Sequence, residues 1–489
     1  MDEDRQTHGL LRIGLSDFRD SGKEQGGGAN MPTTRHGLVY LLIAGCAGSL
    51  IAADGDVTIS GELRQWHKVT LDLAGPTASE AGDPNPFTDY RMTVTFSQGG
   101  TTITVPGYFA ADGDAAESSA DGGSVWRAHL CPPSTGTWNY SVDFRGGDMV
   151  AIDGGGSELA AFDGGSGSFA VASSDKSGRD FRSPAHGRLA YVGEHALQWQ
   201  GSGDFFFKVG NNHPEVFLEY EDYDNTPSSR SYDAHLGDWR GGDPSWQGGK
   251  GKGAIGAMNY LSDAGMNVQY FVTMNTQGDG KKAWPWTASE AIWTYDVSKL
   301  AQWGIVFDHM MARGIMTHFV LDERENQSLF EHLDASSDTF ADSRKLYYRE
   351  MIARFGHLNA ITWNVGEENG WSNGSVYGQS TTTAQRKERA AYLRDLTPYA
   401  DHIVVHNGPS NNDDIFIDLV GDPSFSGPSF QGNYGNTSHG NGRIAHWRQA
   451  SAAAGRKWVV TYDEPYVGGQ PGRQEWRTDS LWASIAAGG

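Results

Sequence analysis

The sequence predicts two globular units in series, an all-β sandwich followed by an α/β barrel. Three observations predict this organisation. The chain has 489 residues, which is too long for one ordinary domain. Short runs of alternating apolar and polar residues, separated by Gly, Asp, Asn and Pro turns, fill residues 54–150. From residue 205 onward, apolar strands alternate with amphipathic helices, which is the pattern of parallel βαβ units.

The N-terminal residues are predicted to include a targeting segment and not to belong to a folded domain. Residues 1–30 are polar, charged and Gly-rich, and we interpret them as a disordered or mis-assigned extension. Residues 31–53 then show the order positive, apolar, small that is typical of a signal peptide. Within them, Ile-Ala-Gly-Cys resembles a bacterial lipobox, with Cys46 as the lipidated residue. We therefore predict export, with the mature protein secreted, periplasmic or anchored to the outer membrane through lipid. Cleavage after Ala53 without a lipid is the alternative.

The first globular unit, residues 54–150, is predicted to be an Ig-like β-sandwich. Trp126 and Trp138 lie on its strands, and we assign them to the buried core in preference to a sugar-binding face. Cys131 is expected to be an inert small hydrophobe. Residues 151–204 are rich in Gly and Ser and are expected to form a packed joint with short strands.

Residues 205–489 are predicted to form a (β/α)8 TIM barrel that lacks its eighth strand. A doubly wound sheet is the competing fold, but it would be expected to carry a Gly-rich phosphate turn after its first strand, and none is present. The predicted strands are 205–209, 267–274, 315–321, 360–365, 402–406, 425–431 and 457–462. The predicted helices are 253–264, 296–313, 343–355, 383–397, 443–454 and 475–486.

The number of predicted barrel strands leads to an expectation about the C-terminal end of the sequence. A barrel without an eighth strand leaves the edges of its first and seventh strands unpaired, and unpaired edges invite aggregation. We therefore expect this sequence to be a C-terminally truncated fragment that is not a competent enzyme by itself.

Composition limits the classes of partner. The formal charge of −22 argues against binding to nucleic acid, which needs clustered Lys and Arg. Aromatic residues make up 11% of the chain, which suits stacking on sugar rings but also suits a large core. The His and Asp residues show no metal-ligand spacing, so we expect neither a metal nor another cofactor. A membrane contact is expected only through the N-terminal lipid, and the sequence leaves the oligomeric state open.

Polar residues gather where the predicted barrel strands end, which is where the chemistry of such barrels is found. The histidines among them are also compatible with a hydrogen-bonding scaffold, and Glu323 with a solvated charged turn beside Arg324. The tryptophans lie in predicted loops, which favours stacking on a sugar. The candidate substrate-binding residues are Asn212, His213, Asn275, Trp284, Trp286, Glu323, Glu367, Trp371, His406, Gln431 and Tyr434.

Two strand ends carry the carboxyl groups that glycosidic bond cleavage requires. The fourth strand ends in Trp-Asn-Val-Gly-Glu-Glu and the seventh in Val-Val-Thr-Tyr-Asp-Glu. A retaining glycosidase needs a proton donor and a carboxylate nucleophile about 5–5.5 Å apart. The two strand ends look like those of the retaining barrel glycosidases whose acid/base follows strand four and whose nucleophile follows strand seven. Alignment with them on Trp363 and Gly366 implies that Glu368 is the acid/base and Glu464 the nucleophile. Successive side chains on a strand point in opposite directions, so Glu367 and Glu368 cannot project alike.

These strand ends resemble the large clan of retaining barrel glycosidases, many of which have Asn immediately before the acid/base. Here Glu367 occupies that place, so the match departs from the commonest pattern. The whole of 56–489 further resembles a family of bacterial glycoside hydrolases with an N-terminal Ig-like domain of unknown function and an apiosidase-like or agarase-like barrel. The similar stretches are 208–215, 278–280, 284–286, 348–350, 353–356 and 463–465. The resemblance implies a carbohydrate substrate but neither the sugar nor the linkage.

Three other functions compete. The runner-up is a non-catalytic carbohydrate-binding surface protein on a barrel scaffold, against which the presence of Glu368 and Glu464 argues. A polysaccharide lyase would favour a basic residue set, which this acidic chain does not show. A purely adhesive surface protein, acting through the Ig-like unit, is the third.

Overall fold

The computed structural model describes residues 55–278, 280–334, 339–372, 374–408, 413–432, 438–464 and 476–489. The predicted signal segment, including Cys46, lies outside these residues, and so does Tyr434. Within the described part of the chain, no helix has the length and apolar character needed to cross a bilayer.

The N-terminal unit is a sandwich of two antiparallel sheets. One sheet has the order β1-β2-β6-β5, and the other has the order β4-β3-β7-β8 with β9 also on β7. Two short helices, α1 (Ala115–Ser118) and α2 (Val150–Asp153), connect strands. The strands are β1 (Val57–Gly61), β2 (Val69–Ser79), β3 (Tyr90–Gln98), β4 (Thr101–Pro106), β5 (Tyr108–Phe109), β6 (Gly122–Leu130), β7 (Gly136–Gly146), β8 (Ser157–Glu158) and β9 (Ser166–Val171).

The alternation read from the sequence produces the core between these sheets. Val69, Leu71 and Leu73 on β2 are fully buried, whereas Asp72, between Leu71 and Leu73, is half-buried. Trp126 and Trp138 are buried as well, so both belong to the core as predicted. Strands β8 and β9 come from the Gly/Ser-rich segment 151–204, and β9 pairs along β7 from Gly136 to Ser141.

The second unit is a nearly closed barrel of seven parallel strands, which confirms the predicted fold class. A two-stranded antiparallel ribbon, β10 (Leu189–Ala190) with β11 (Gln198–Trp199), precedes it. The barrel strands are paired in chain order. They are β12 (Gly210–Asn211), β13 (Val268–Val272), β14 (Met316–Val320), β15 (Ile361–Asn364), β16 (His402–His406), β17 (Gly427–Gln431) and β18 (Thr461–Glu464).

Helices surround the strands and follow the predicted periodicity. Asp296 caps α4 by accepting a hydrogen bond from the Lys299 N–H, and Gly314 ends that helix in the left-handed conformation. The helices are α3 (Lys252–Asp263), α4 (Val297–Arg313), α5 (Leu329–Leu333), α6 (Asp342–Phe355), α7 (Thr383–Leu396), α8 (Asp414–Ile417), α9 (Ser438–Ala453) and α10 (Trp482–Ala487), the last preceded by a π-helical turn, Trp476–Leu481.

The sandwich is held against the barrel through α6. Arg349 and Arg354 on this helix donate to the backbone carbonyls of Met92 and Phe109, each at 3.0 Å. Burial of these arginines is offset by their hydrogen bonds to the strand carbonyls, of which the Met92 carbonyl also accepts from the Gly107 N–H. The sandwich therefore packs against the outer surface of the barrel.

The first barrel strand differs from the prediction. The sequence places it at 205–209, but the paired residues are Gly210–Asn211, which align with Val268 and Gln269 of β13. Phe205 and Phe207 are exposed, and Phe205 instead bridges Gln198 of β11. The apolar run correctly indicates extended chain, but its first residues precede the first barrel strand and are not part of it.

The barrel has a seam between β12 and β18, which are not paired with each other in the described part of the chain. A cavity of about 300 Å³ lies along this seam. Its walls include Val209 and Val268 on one side, Tyr462 on the other, and Leu481 and Ile485 from the C-terminal turn and helix. The seam thus has an apolar lining where an eighth strand would complete the barrel.

Candidate active site

The candidate site lies at the carboxyl ends of the barrel strands. Because the strands are parallel, their carboxyl ends share one end of the barrel. Glu367 follows β15, His406 ends β16 and Glu464 ends β18. One ligand-type atom from each of these three side chains lies within 4.8 Å of the others. The distant sequence positions predicted from strand ends are therefore brought together.

The chain after β15 separates the two adjacent glutamates. The Glu367 N–H donates to the Asp322 carbonyl at 2.8 Å, which continues the barrel ladder toward β14. At Glu368 the backbone turns into the left-handed region, with φ of 44°. A non-glycine residue there carries strain that the surrounding contacts must hold. Glu367 consequently points into the barrel, while Glu368 points toward the loop after β14.

Glu367 is almost fully enclosed, with 4% of its surface exposed. Burial is the main reason that the pKa of its carboxyl is raised well above the usual range, and the carboxylates of Glu215 and Glu464 raise it further. Glu323 and Glu368 add smaller effects of the same sign. A buried carboxyl among other carboxylates is most stable when it keeps its proton.

His406 is a neutral hydrogen-bond donor that faces Glu464. The Glu368 N–H donates to His406 Nδ1 at 3.2 Å, so Nδ1 is the unprotonated nitrogen of the ring. The proton of the neutral imidazole must then lie on Nε2, which is 3.8 Å from Glu464 Oε2. Burial lowers the pKa of His406 to about 4, so the neutral form dominates near neutral pH.

Glu368 occupies a more open position than Glu367 and has different partners. Arg324 Nη1 lies 2.8 Å from Glu368 Oε2, and the Gln431 amide donates to Oε1 at 3.3 Å. Arg324 also pairs with Glu325. The guanidinium therefore favours the ionised form of Glu368 in the absence of a sugar.

The predicted tryptophans separate into two groups. Trp371 is 42% exposed and lies under Arg324, whose Cζ is 4.8 Å from the ring centroid. Trp284 and Trp286 are buried, and this corrects the expectation that they present their faces to a sugar. Trp286 packs edge-on against Phe330, with ring centroids 5.7 Å apart, so the loop after β13 folds inward as a part of the core.

The remaining predicted residues divide by depth. Asn275 is buried, and its amide donates to the Glu323 carboxylate. Asn326 in turn donates to the side-chain oxygen of Asn275 at 2.8 Å. Asn212 is half-buried and His213 is exposed at the rim. Gln431 is buried with its amide on Glu368, and its Oε1 has no hydrogen-bond partner among the described residues. That oxygen is an acceptor available to a ligand.

Tyr270 is a site residue that the sequence analysis did not single out. It lies on β13, and its buried hydroxyl has no hydrogen-bond partner among the described residues. Burial raises its pKa well above the usual range, and the carboxylates of Glu367 and Glu464 add to the effect. Strand alternation along β13 could have placed this side chain inside the barrel, but not next to the two glutamates.

A buried ion pair anchors β18, the strand that ends in Glu464. Asp463, next to Glu464, pairs with Lys208 and accepts hydrogen bonds from Ser429 and Thr461. These contacts hold the pKa of Asp463 well below its usual range despite burial. Because Asp463 is tied to β17 and to the chain before β12, Glu464 is presented from a fixed backbone.

Two groups of side chains have a spacing that a metal ion could bridge. One is Glu367, His406 and Glu464 in the site, and the other is Glu62, His67 and Asp175 in the sandwich and the joint. In the second group, Lys176 lies 2.8 Å from Glu62 and 3.2 Å from Asp175, and this neutralises the carboxylates. In the first, the spacing is equally that of two carboxyl groups and a neutral imidazole around a small polar ligand.

Comparison with known protein families gives a match within the first unit. Residues 62–145 match a domain of unknown function, DUF5060. None of the curated proteins is similar enough in sequence to count as a match.

One of the solved structures compared shares the overall fold. A protein of Bacteroides vulgatus ATCC 8482 that is provisionally described as a glycoside hydrolase superposes with a TM-score of 0.56 at 17% identity, covering 84% of this chain and 66% of that one. A family 5 glycoside hydrolase of the same organism gives a TM-score of 0.40 at 15% identity, covering 62% of this chain and 60% of that one. The chain thus spans less than two thirds of either protein. The first superposition shows that the fold, a sandwich and a barrel, occurs in a structure with that description.

Proposed function

We propose that this protein is a glycoside hydrolase that cleaves an oligo- or polysaccharide with retention, with Glu464 as nucleophile and Glu368 as acid/base. The observation that carries the proposal is the meeting of carboxyl groups from the ends of β15 and β18. Glu368 and Glu464 lie on either side of His406, since the Glu368 N–H donates to Nδ1 at 3.2 Å and Glu464 Oε2 lies 3.8 Å from Nε2. Gln431, whose amide donates to Glu368, is the register partner of Glu464 between β17 and β18. Retaining glycosidases hold their two carboxyl groups about 5–5.5 Å apart, and this is the separation that the proposal requires of Glu368 and Glu464.

Glu464 has the surroundings that a nucleophile needs. It must be ionised to attack the anomeric carbon. The Nε2–H of His406 faces its carboxylate at 3.8 Å, and the neighbouring Glu367 is the group that burial keeps protonated. Both features favour the charged form of Glu464.

Glu368 is better placed than Glu367 for the acid/base role, because that role has two steps. After protonating the leaving group, the same residue must remove a proton from an incoming water. The side chain of Glu368 is 20% exposed and can meet that water. Arg324 favours the ionised form that the second step uses, so in the first step Glu368 must take up a proton from solvent before it donates one to the leaving group. Trp371, beside Arg324, offers a surface for the leaving sugar.

Substitution of the two glutamates tests the mechanism. Glu464→Gln is expected to abolish turnover of every substrate. Glu368→Ala is expected to lose about 10²–10⁴-fold on sugars with poor leaving groups, and much less on aryl glycosides whose leaving groups need no proton. Azide should restore Glu368→Ala activity and yield a glycosyl azide, because the small anion enters the space left by the carboxylate.

The matched control is Glu367→Ala, which removes the neighbouring carboxyl. If leaving-group dependence appears in this variant and not in Glu368→Ala, then Glu367 is the acid/base. Full activity in Glu464→Gln would rule out the mechanism. Sugar binding by the wild type without turnover of any glycan would favour the alternative of a carbohydrate-binding scaffold.

We also propose export, on the basis of residues 31–53 alone. Lipidation of Cys46 would hold the enzyme at the envelope where glycans arrive. Metabolic labelling with a palmitate analogue distinguishes the two routes, since label in the wild type and its loss in Cys46→Ser indicate a lipoprotein. Equal labelling of both, or none, indicates secretion without lipid.

A further inference from the structure

We infer that Glu367 works as a neutral carboxylic acid and that, with His406, it positions Glu464 and one sugar hydroxyl beside it. The inference rests on the proposed function, because it takes Glu464 as the ionised nucleophile. It adds a residue whose proton, rather than its charge, is required. Glu367 is a positioning residue in this account and does not transfer its proton to the leaving group.

The first step of the argument is the distance between the two carboxyl groups. Oxygens of Glu367 and Glu464 that lie within 4.8 Å of each other in a largely buried place cannot both be charged without a large cost. Pairs of carboxyl groups at this separation divide the roles, with one keeping the proton and the other losing it.

The second step decides which of the two keeps the proton. Glu367 is 4% exposed, whereas the Glu464 side chain is 21% exposed and faces the His406 Nε2–H. No arginine or lysine in the described part of the chain forms an ion pair with Glu367; Arg324 pairs with Glu368 and Glu325 instead. Solvent and a donor therefore stabilise charge on Glu464 and not on Glu367.

Among the described residues, the groups recorded beside Glu367 also favour a proton on Glu367 and a charge on Glu464. They are carboxylates or neutral groups, so none of them stabilises a negative charge on Glu367 by a full opposite charge. They are Glu215 after β12, Tyr270 on β13, Glu323 after β14, Glu368 on the same segment, His406 on β16 and Glu464 on β18.

The third step is what a protonated Glu367 can do. The carboxyl oxygens of Glu367 and Glu464 lie within 4.8 Å of each other, a separation that one bridging oxygen at about 2.7 Å from each can span. Glu367 O–H and His406 Nε2–H donate to that oxygen, and its own hydrogen is accepted by Glu464. A sugar hydroxyl next to the anomeric carbon fits this place, because Glu464 must reach that carbon.

A side-chain amide would donate at any pH, but Glu367 donates only while it holds its proton. The donor at this place is therefore lost at alkaline pH.

Chemical denaturation at a series of pH values tests the protonation without requiring a substrate. A group whose pKa is raised in the folded protein stabilises it below the unfolded value and loses that contribution as pH rises toward the folded value. Above about pH 4.5, the unfolding equilibrium of wild type relative to Glu367→Gln should therefore shift toward unfolding by about tenfold per pH unit. Glu367→Gln should be the more stable protein at pH 7.

Glu325→Gln is the matched control: Arg324 lowers the pKa of Glu325, so its contribution to stability changes only below about pH 4.5, and its difference from wild type should stay constant from pH 4.5 to 7.5. Glu464→Gln removes the charge beside Glu367, so the pKa of Glu367 should be raised less. The pH dependence of the unfolding equilibrium that comes from Glu367 should then be smaller. A stability difference between wild type and Glu367→Gln that stays constant from pH 4.5 to 7.5 would overturn the inference. A rise in wild-type stability with Ca²⁺, Mn²⁺ or Zn²⁺ that Glu367→Gln lacks would also overturn it, since the carboxyl would then be a metal ligand.

Kinetics separate a positioning role from a purely structural one. Glu367→Gln keeps a donor and should retain kcat within about tenfold of wild type, whereas Glu367→Ala should lose about 10²–10³-fold. The ratio of Glu367→Gln to wild-type activity should increase toward alkaline pH. If both variants lose activity equally at all pH values, the protonated acid is not the required form. If both are inactive while the denaturation result holds, the proton is where we infer it and the proposed reaction is what fails.

Discussion

One backbone hydrogen bond fixes the chemical state of His406. The Glu368 N–H occupies Nδ1, and this leaves Nε2–H directed at Glu464. The same residue, Glu368, supplies the donor because its left-handed backbone turns the N–H toward β16. A strained backbone position thus sets both the direction of the Glu368 side chain and the tautomer of the neighbouring histidine.

The pH behaviour of His406 is a prediction at this scale. Its pKa is lowered to about 4 by burial, below the unfolded value of about 6.5. A lowered pKa means that stability is complete above pH 6.5 and declines as pH falls toward 4, by up to about 3 kcal/mol. His406→Gln should therefore lose less stability than wild type between pH 6.5 and 4, measured by urea denaturation. Identical acid sensitivity of the two proteins would show that His406 is charged or accessible in the fold.

At the scale of elements, the loops after the strands differ in whether they bury their tryptophans or leave them exposed. The loop after β13 turns Trp284 and Trp286 into the core, and the loop after β15 leaves Trp371 at the surface beside Arg324. Sequence position alone could not separate these cases, because all three tryptophans follow predicted strands. Burial depends on contacts such as that of Trp286 with Phe330 on α5, which are distant in sequence.

Substitution of the exposed tryptophan should affect binding more than chemistry. Trp371→Ala is expected to raise KM about tenfold, equivalent to about 1.4 kcal/mol, and to leave kcat nearly unchanged, because the ring lies beside the leaving-sugar side of Glu368. Trp286→Phe is the control, and it should lower thermal stability while KM stays near the wild-type value. A fall in kcat for Trp371→Ala with unchanged KM would contradict the assigned surface.

At the scale of the whole molecule, the sequence predicted the two-unit architecture and the order of barrel elements because hydrophobic periodicity is local. It could not place the first barrel strand, since Phe205 and Phe207 read as buried strand residues and are exposed. It found Glu367, Glu368 and Glu464 by strand ends. Their different environments depend on Glu215, Tyr270 and Arg324, which only the fold brings near.

The charge of the molecule predicts which sugars it accepts. The chain has a net charge of −22, and Glu215, Glu323, Glu325, Glu368 and Glu464 lie around the site with Arg324. An anionic sugar should be repelled, most strongly at low ionic strength. We expect aryl glucosides and galactosides to be hydrolysed at least about tenfold faster than the matching uronides, with the gap narrowing as salt is added. Faster hydrolysis of the uronides would contradict this expectation.

The central claim is that Glu464 forms a covalent bond to the sugar. Glu368→Ala incubated with an activated aryl glycoside should accumulate this intermediate, because the variant lacks the base that activates water for its release. Intact mass spectrometry should show the addition of one glycosyl unit, and peptide mapping should place it on Glu464. A label on another residue, or turnover with inverted product and no covalent species, would contradict the account.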